Sequence, residues 1–187
     1  VTTKTLSARE RLLAAADELF YEEGVHTVGI DRVIERAGVA KASLYNTFGS
    51  KDELIRAYLS ARHARRQERT LRGLDRYDTP RGKILGVFDL QAEMAAQPTF
   101  RGCAFLNASA ESQPGDVVQQ VSDESRAWMR ELFTDLAAQA GATDPGALAA
   151  QLVVLYDGGN AGVRMDRDRA AVMAARSVAE LVLDAAL

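Results

Sequence analysis

One cysteine, two histidines, one tryptophan and four prolines in 187 residues leave this chain with few of the parts that catalysis or cross-linking requires. Cys103 alone cannot close an internal disulfide, and a lone thiol fits a reducing compartment. His26, His63 and Cys103 show no spacing of a metal site. There is no nucleophile elbow and no phosphate loop. Gly158-Gly159-Asn160-Ala161-Gly162 is glycine-rich but lacks the preceding strand that a nucleotide fingerprint needs, so helix packing explains it better. The expectation is a protein that is not an enzyme and uses no cofactor or metal. No run of about 18 apolar residues could span a bilayer, and no signal-peptide pattern is seen, so no membrane partner and a cytoplasmic location are expected. Strand alternation, internal repeats and low-complexity tracts are missing too, which leaves helical periodicity as the organising signal.

That periodicity is densest between Val28 and Glu53. Ile30, Val33, Ile34 and Ala37 fall at i, i+3, i+4 and i+7, one buried stripe on a helix of about two turns. Gly38 ends it, because glycine can take the left-handed conformation that satisfies the last carbonyls. Gly38-Val39-Ala40 has the length of the turn in a helix-turn-helix, here about residues 29–48. The next helix starts near Lys41 and turns Leu44 and Phe48 inward, leaving Lys41, Ala42, Ser43, Tyr45, Asn46 and Thr47 on its exposed side and flanks. Small hydrogen-bonding side chains and a lysine on so short a helix suit the major groove, where they meet base edges and phosphates. After Gly49, Ser50 with Glu53 three residues on caps a further helix that carries Leu54, Ile55, Tyr58 and Leu59 inward.

These residues carry a family resemblance. Thr27 and Val28 with the nearby Ile30 open the segment, followed by the Ala37-Gly38-Val39 turn, the Leu44-Tyr45-x-x-Phe48 core of the second helix and the Ser50-Lys51-x-x-Leu54 start of the third. Upstream, Ser7-Ala8-Arg9-Glu10 is a capping box opening a helix with Leu12, Leu13, Ala16, Leu19 and Phe20 inward, ended by Glu22-Glu23-Gly24. Residues 7–60 together resemble the TetR family of transcriptional repressors. Further on, only Arg101-Gly102-Cys103-Ala104-Phe105-Leu106-Asn107 resembles a segment of one large subgroup. Position 42 is alanine where the family often has glycine, and Asn46-Thr47 stand where histidine or an aromatic is frequent, so the operator sequence does not follow.

The resemblance implies an all-α fold: an N-terminal three-helix DNA-binding module with a helix-turn-helix (residues 1–50), then an all-helical ligand-binding and dimerisation body (residues 51–187), about nine helices in all. It also implies a homodimer on a palindromic operator of double-stranded DNA, released by an unknown small-molecule inducer. Lys41, Ser43, Asn46 and Thr47, with Ala42 between them, are the expected groove contacts. Tyr45, Lys51 and Thr27 are the expected phosphate contacts, Lys51 helped by the positive end of its helix. The net charge of −3 does not oppose this, because residues 1–72 hold 13 Lys and Arg against 10 Asp and Glu while the remainder holds 10 against 16.

Punctuation orders the rest of the chain. The fourth helix should run from Ser50 to about Leu74, and Thr79-Pro80 should cap a fifth with Ile84, Val87, Phe88, Gln91 and Met94 or Ala95 inward. A short helix over Ala104–Ala110 is expected, then a long one from Val117 to Gly141 with Val117, Val121, Trp128, Leu132 and Leu136 inward. Two more should cover Asp144 to about Met165 and Asp168 to the C-terminus. In these, Leu152, Leu155, Gly158, Gly162, Val172, Ala175, Ala179, Val182 and Ala186 form a narrow small-residue stripe, read either as burial within one subunit or, by preference, as a homodimer interface. Phe88, Gln91, Met94, Phe105, Asn107, Glu111, Trp128, Leu132 and Tyr156 are the candidate ligand contacts, with plain core packing as the competing reading. The run Arg62, Arg65, Arg66, Arg69 and Arg72 lies roughly 16 Å or more from the DNA-facing start of its helix at 1.5 Å per residue, so a solvated charged face is preferred to a second DNA contact. For Cys103, a buried structural thiol is preferred to a redox sensor.

Overall fold

The computed structural model describes residues 6–187 except Glu111 and Pro114, and the expected ligand contact Glu111 therefore lies outside the described residues. Among the described residues the chain is all helix: α1 Ala8–Glu23, α2 Ile30–Ala37, α3 Lys41–Phe48, α4 Lys51–Leu74, α5 Pro80–Ala95, α6 Ala104–Ser109, α7 Val117–Ala140, α8 Pro145–Asp166 and α9 Ala170–Ala186. Local chemistry sets most of the boundaries. Ser7 and Glu10 close their capping box reciprocally, Thr79 accepts from the Gly82 N–H ahead of Pro80, and Asp144 accepts from the Ala147 N–H. Gly38 ends α2 at φ 62° and ψ 44°, a left-handed conformation open to glycine at little cost.

The chain forms two compact units, one of residues up to His63 with Ala104–Ser122, the other of Ala64–Cys103 with Asp123–Leu187. In the first, Leu12, Ala16, Val28, Val33, Leu44, Leu54 and Leu59 are removed from water. Phe20 meets Tyr58 edge-on at 5.6 Å. Arg62 holds Asp17 at 2.8 Å and lies 3.6 Å from the centre of the Tyr21 ring, so this arginine ties α4 to α1.

In the second unit α5 is enclosed on nearly all sides, burying Ile84, Leu85, Gly86, Val87, Phe88, Leu90, Gln91 and Ala92. Its Phe88 stacks on Phe133 of α7 with ring centres 6.0 Å apart. Asp89 accepts from Tyr77 at 3.0 Å and from Arg176 of α9 at 2.6 Å. The buried residues of α7 in this unit are Ser125, Met129, Phe133, Leu136 and Ala137, while Val118 and Val121 are buried in the part of α7 that belongs to the first unit. That corrects the expected register: Val117, Trp128 and Leu132 are only half-buried. Ser125 faces inward because Arg66 donates to both its carbonyl and its hydroxyl at 2.7 Å, and Trp128 lies beside the same guanidinium. At about 100° per residue Leu132 and Trp128 lie within about 60° of Ser125, so both border the buried stripe and pack against the core from its edge.

The small-residue stripe of the last two helices is spent inside the subunit. Leu152, Val172 and Ala179 are 0% exposed and Ala175 8%. Leu155, Val182 and Ala186 pack against the same core. At Gly162 an added Cβ would come within 2.3 Å of the Ala171 Cβ, so glycine lets α8 and α9 approach. Gly158 is exposed with nothing within 4 Å. The surfaces α8 and α9 leave uncovered are others: Val154 and Met165 on α8, and Met173, Val178 and Leu181 on α9. Among the described residues no helix is long and apolar enough to cross a membrane.

Candidate nucleic-acid interface

The first unit presents α3 on a frame built by α1 and α2. The turn is held from three sides: the Gly38 N–H reaches the Glu35 carbonyl at 3.1 Å, the Val39 N–H reaches the Ile34 carbonyl at 3.3 Å, and Arg11 of α1 donates to the Gly38 carbonyl at 3.0 Å. Arg36 pairs with Glu18 at 2.7 Å, joining α2 to α1. Leu44 is fully buried under α3, and Phe48 is half-buried with the Arg9 guanidinium 5.5 Å from its ring centre. With one face anchored, the opposite face is left to solvent. Nothing in the sequence pattern marks Arg9 and Arg11 for these roles, because a bond such as Arg11 makes, reaching across 27 residues, leaves no periodic signal.

Lys41, Ala42, Tyr45, Asn46 and Thr47 are all exposed, and Ser43 is half-buried. Two of these side chains already have local partners. Lys41 Nζ stands 2.9 Å from Asp31 Oδ1, a bond that raises the lysine's pKa, and the Thr47 hydroxyl donates to the Ser43 carbonyl at 2.6 Å. Thr47 thus offers a methyl group and an acceptor oxygen outward, and Lys41 must exchange Asp31 for any new anion. No side chain caps the start of α3, where Ala40 is the N-cap residue.

Lys51, in the first turn of α4, is half-buried, and desolvation lowers its pKa. Ser50 accepts from the Glu53 N–H at 3.1 Å in the same turn. Thr27 is exposed between the buried Val25 and Val28, in the loop that precedes α2. All eight expected DNA contacts therefore lie within the first unit, on α3, the loop before α2 and the first turn of α4. The expected ligand contacts divide between the units: Phe105, close to His63, and Asn107 belong to the first, while Phe88, Gln91, Met94, Trp128, Leu132 and Tyr156 belong to the second.

A short polar helix held out by a glycine turn and two supporting helices defines a helix-turn-helix DNA-binding module. The family model "Bacterial regulatory proteins, tetR family" matches residues 12–58. SCO4454, a TetR-family transcriptional regulator from Streptomyces coelicolor, is 35% identical, with a TM-score of 0.90 over 96% of this chain and 95% of that one. The HTH-type transcriptional activator FasR of Mycolicibacterium smegmatis is 49% identical over 51 residues, a match that spans 27% of this chain and only 23% of that protein's length. The regulator CifR, solved with 26 bp of double-stranded operator DNA, shares the fold at a TM-score of 0.76 and 22% identity.

The chain belongs to the TetR family of transcriptional regulators. It is a DNA-binding regulator of a family of transcription factors rather than enzymes.

Proposed function

We propose that this protein is a ligand-responsive repressor that binds a palindromic operator as a homodimer and is released by a small-molecule inducer. In this reading Lys41, Ala42, Ser43, Asn46 and Thr47 face the major groove, while Thr27, Tyr45 and Lys51 hold phosphates. The half-buried ammonium of Lys51 gains from a phosphate partner, which would offset the desolvation that lowers its pKa. Operator binding by CifR supports DNA as the partner at the level of the fold.

The observation that carries the reading is an exposed polar α3 in a chain whose last two helices leave an apolar face uncovered. Val154, Gly158 and Met165 follow helical spacing on α8, as do Ala174, Val178, Leu181 and Ala185 on α9, and all seven are exposed. Two copies joined through such faces would form a four-helix bundle and present two α3 helices to successive major grooves, about 34 Å apart. This face keeps Gly158 from the small-residue stripe and replaces the rest of it as the proposed dimer contact. Inducer release follows as a population shift, in which ligand favours a spacing of the two α3 helices that no longer fits the operator, with α4, which contributes to both units, as the lever.

The test is a gel shift on the promoter of the protein's own operon, run beside sedimentation velocity. A dimer that shifts the promoter supports the reading. A monomer that still binds a palindrome sinks the dimer, and no shift on that promoter removes it as the operator.

A further inference from the structure

The C-terminal half of α4 carries a charged groove that DNA reading by α3 leaves unused. Arg65, Arg69 and Arg72 follow at i, i+4 and i+7, so they share one helix face, and Arg76 continues the row just past the helix end. The first three span about 10 Å at 1.5 Å per residue. All four arginines are exposed. With Glu68, Gly73, Leu90 and Glu93 they line an open groove of about 430 Å³ that lies wholly in the second unit. That volume falls within the roughly 300–1,000 Å³ of small-molecule sites.

The groove has an apolar floor and a cationic rim. Leu90 of α5 is 8% exposed, and a Cβ on Gly73 would stand 2.5 Å from one of its methyl carbons, so the glycine lets Leu90 seat against α4. Arg76 Nε donates to the Gly73 carbonyl at 3.1 Å, which holds this guanidinium at the groove's end. Four guanidinium groups stand against two carboxylates, a surplus of two positive charges. Both carboxylates are engaged, Glu68 with Arg72 and Glu93 with Arg76 at 2.9 Å, yet the four side chains are 52–74% exposed. Pairs so open to water are weak, and an incoming anion exchanges with either carboxylate at small cost.

The surplus sets the class of anion. A single negative charge leaves it unbalanced. Guanidinium groups take phosphate oxygens two at a time, and a phosphate carries three such acceptors against the two of a carboxylate, so several arginines can share one phosphate. We propose that this groove binds a small phosphorylated molecule carrying two or more negative charges, held by Arg65, Arg69, Arg72 and Arg76 above Leu90.

Calorimetric titration of the full chain with inorganic pyrophosphate and with succinate, at about 50 mM salt where screening is weak, tests it. Wild type should bind pyrophosphate about tenfold or more tightly than succinate. Arg69→Gln combined with Arg72→Gln should weaken pyrophosphate about tenfold or more while keeping the affinity for duplex DNA. Glu93→Gln, which removes a competing carboxylate, should tighten pyrophosphate about twofold to threefold, and it serves if the double variant fails to give a cooperative thermal transition. Failure of wild type to bind pyrophosphate at millimolar concentration overturns the inference, as does succinate binding equally well or a double variant that binds like wild type. A double variant that loses duplex DNA together with pyrophosphate makes the groove a nucleic-acid contact and overturns the small-molecule site.

Discussion

The third helix and the last two helices both leave a face uncovered, and the two faces are chemical opposites. On α3 the exposed residues include Lys41, Asn46, Thr47 and a Tyr45 that is 46% exposed. On α8 and α9 they are Val154, Met165 and Leu181, at 66, 80 and 68%. Water hydrates the polar face well, so its partner must compete with water and salt, and binding there is reversible and screened. The apolar face loses roughly 25 cal/mol for each Å² it leaves in water, so covering it is favourable in any salt. On the proposed function the difference makes DNA reading by α3 salt-sensitive and association through α8 and α9 salt-tolerant.

Phe133→Ala should cost about 3–5 kcal/mol in urea denaturation, because it opens a cavity against Phe88 in the body under α8 and α9. Next, Val154→Arg combined with Leu181→Arg should give a folded monomer by sedimentation, with operator affinity lowered about a hundredfold or more by fluorescence anisotropy. A dimer that survived both arginines would place the association face elsewhere.

On the polar face, Ser43→Ala should lower affinity about tenfold at one or two base positions, whereas Lys51→Ala should weaken all sequences alike and reduce the salt slope by about 0.9. Equal, sequence-blind losses would remove Ser43 from base reading. The smallest effect belongs to Asp31→Asn, which releases Lys41 from an exposed pair and should raise low-salt affinity by less than about threefold. A fall in affinity would mean that Asp31 positions Lys41 rather than competing for it.

Much of the fold was legible because its signals are local. The Ser7–Glu10 box, the left-handed Gly38, the Thr79-Pro80 start and the Asp144 cap each act within a few residues, and each ends or begins a helix as expected. The register of α7 was not legible, since an inward serine makes sense only once Arg66, 59 residues away, is in place. The sequence left two readings of the stripe on α8 and α9 for a related reason, and most of it packs within the chain. Small residues at helical spacing look the same whether the helix they meet belongs to the same subunit or to another. The arginine run shows both outcomes on one helix: Arg65, Arg69 and Arg72 line a groove of about 430 Å³ with Arg76, while Arg62 and Arg66 turn inward to Asp17 and Ser125. Gln91 was legible as a polar inward residue, but the orientation of its amide depends on a carbonyl 65 residues away.

Selection of bound duplexes from a random DNA library with the purified chain shows whether a dimer reads a palindrome through two copies of α3. An inverted repeat whose half-site centres lie about one helical turn apart, or a multiple of it, should be enriched. Enrichment of a single unrepeated site, or of no sequence at all, would contradict the palindrome-reading dimer.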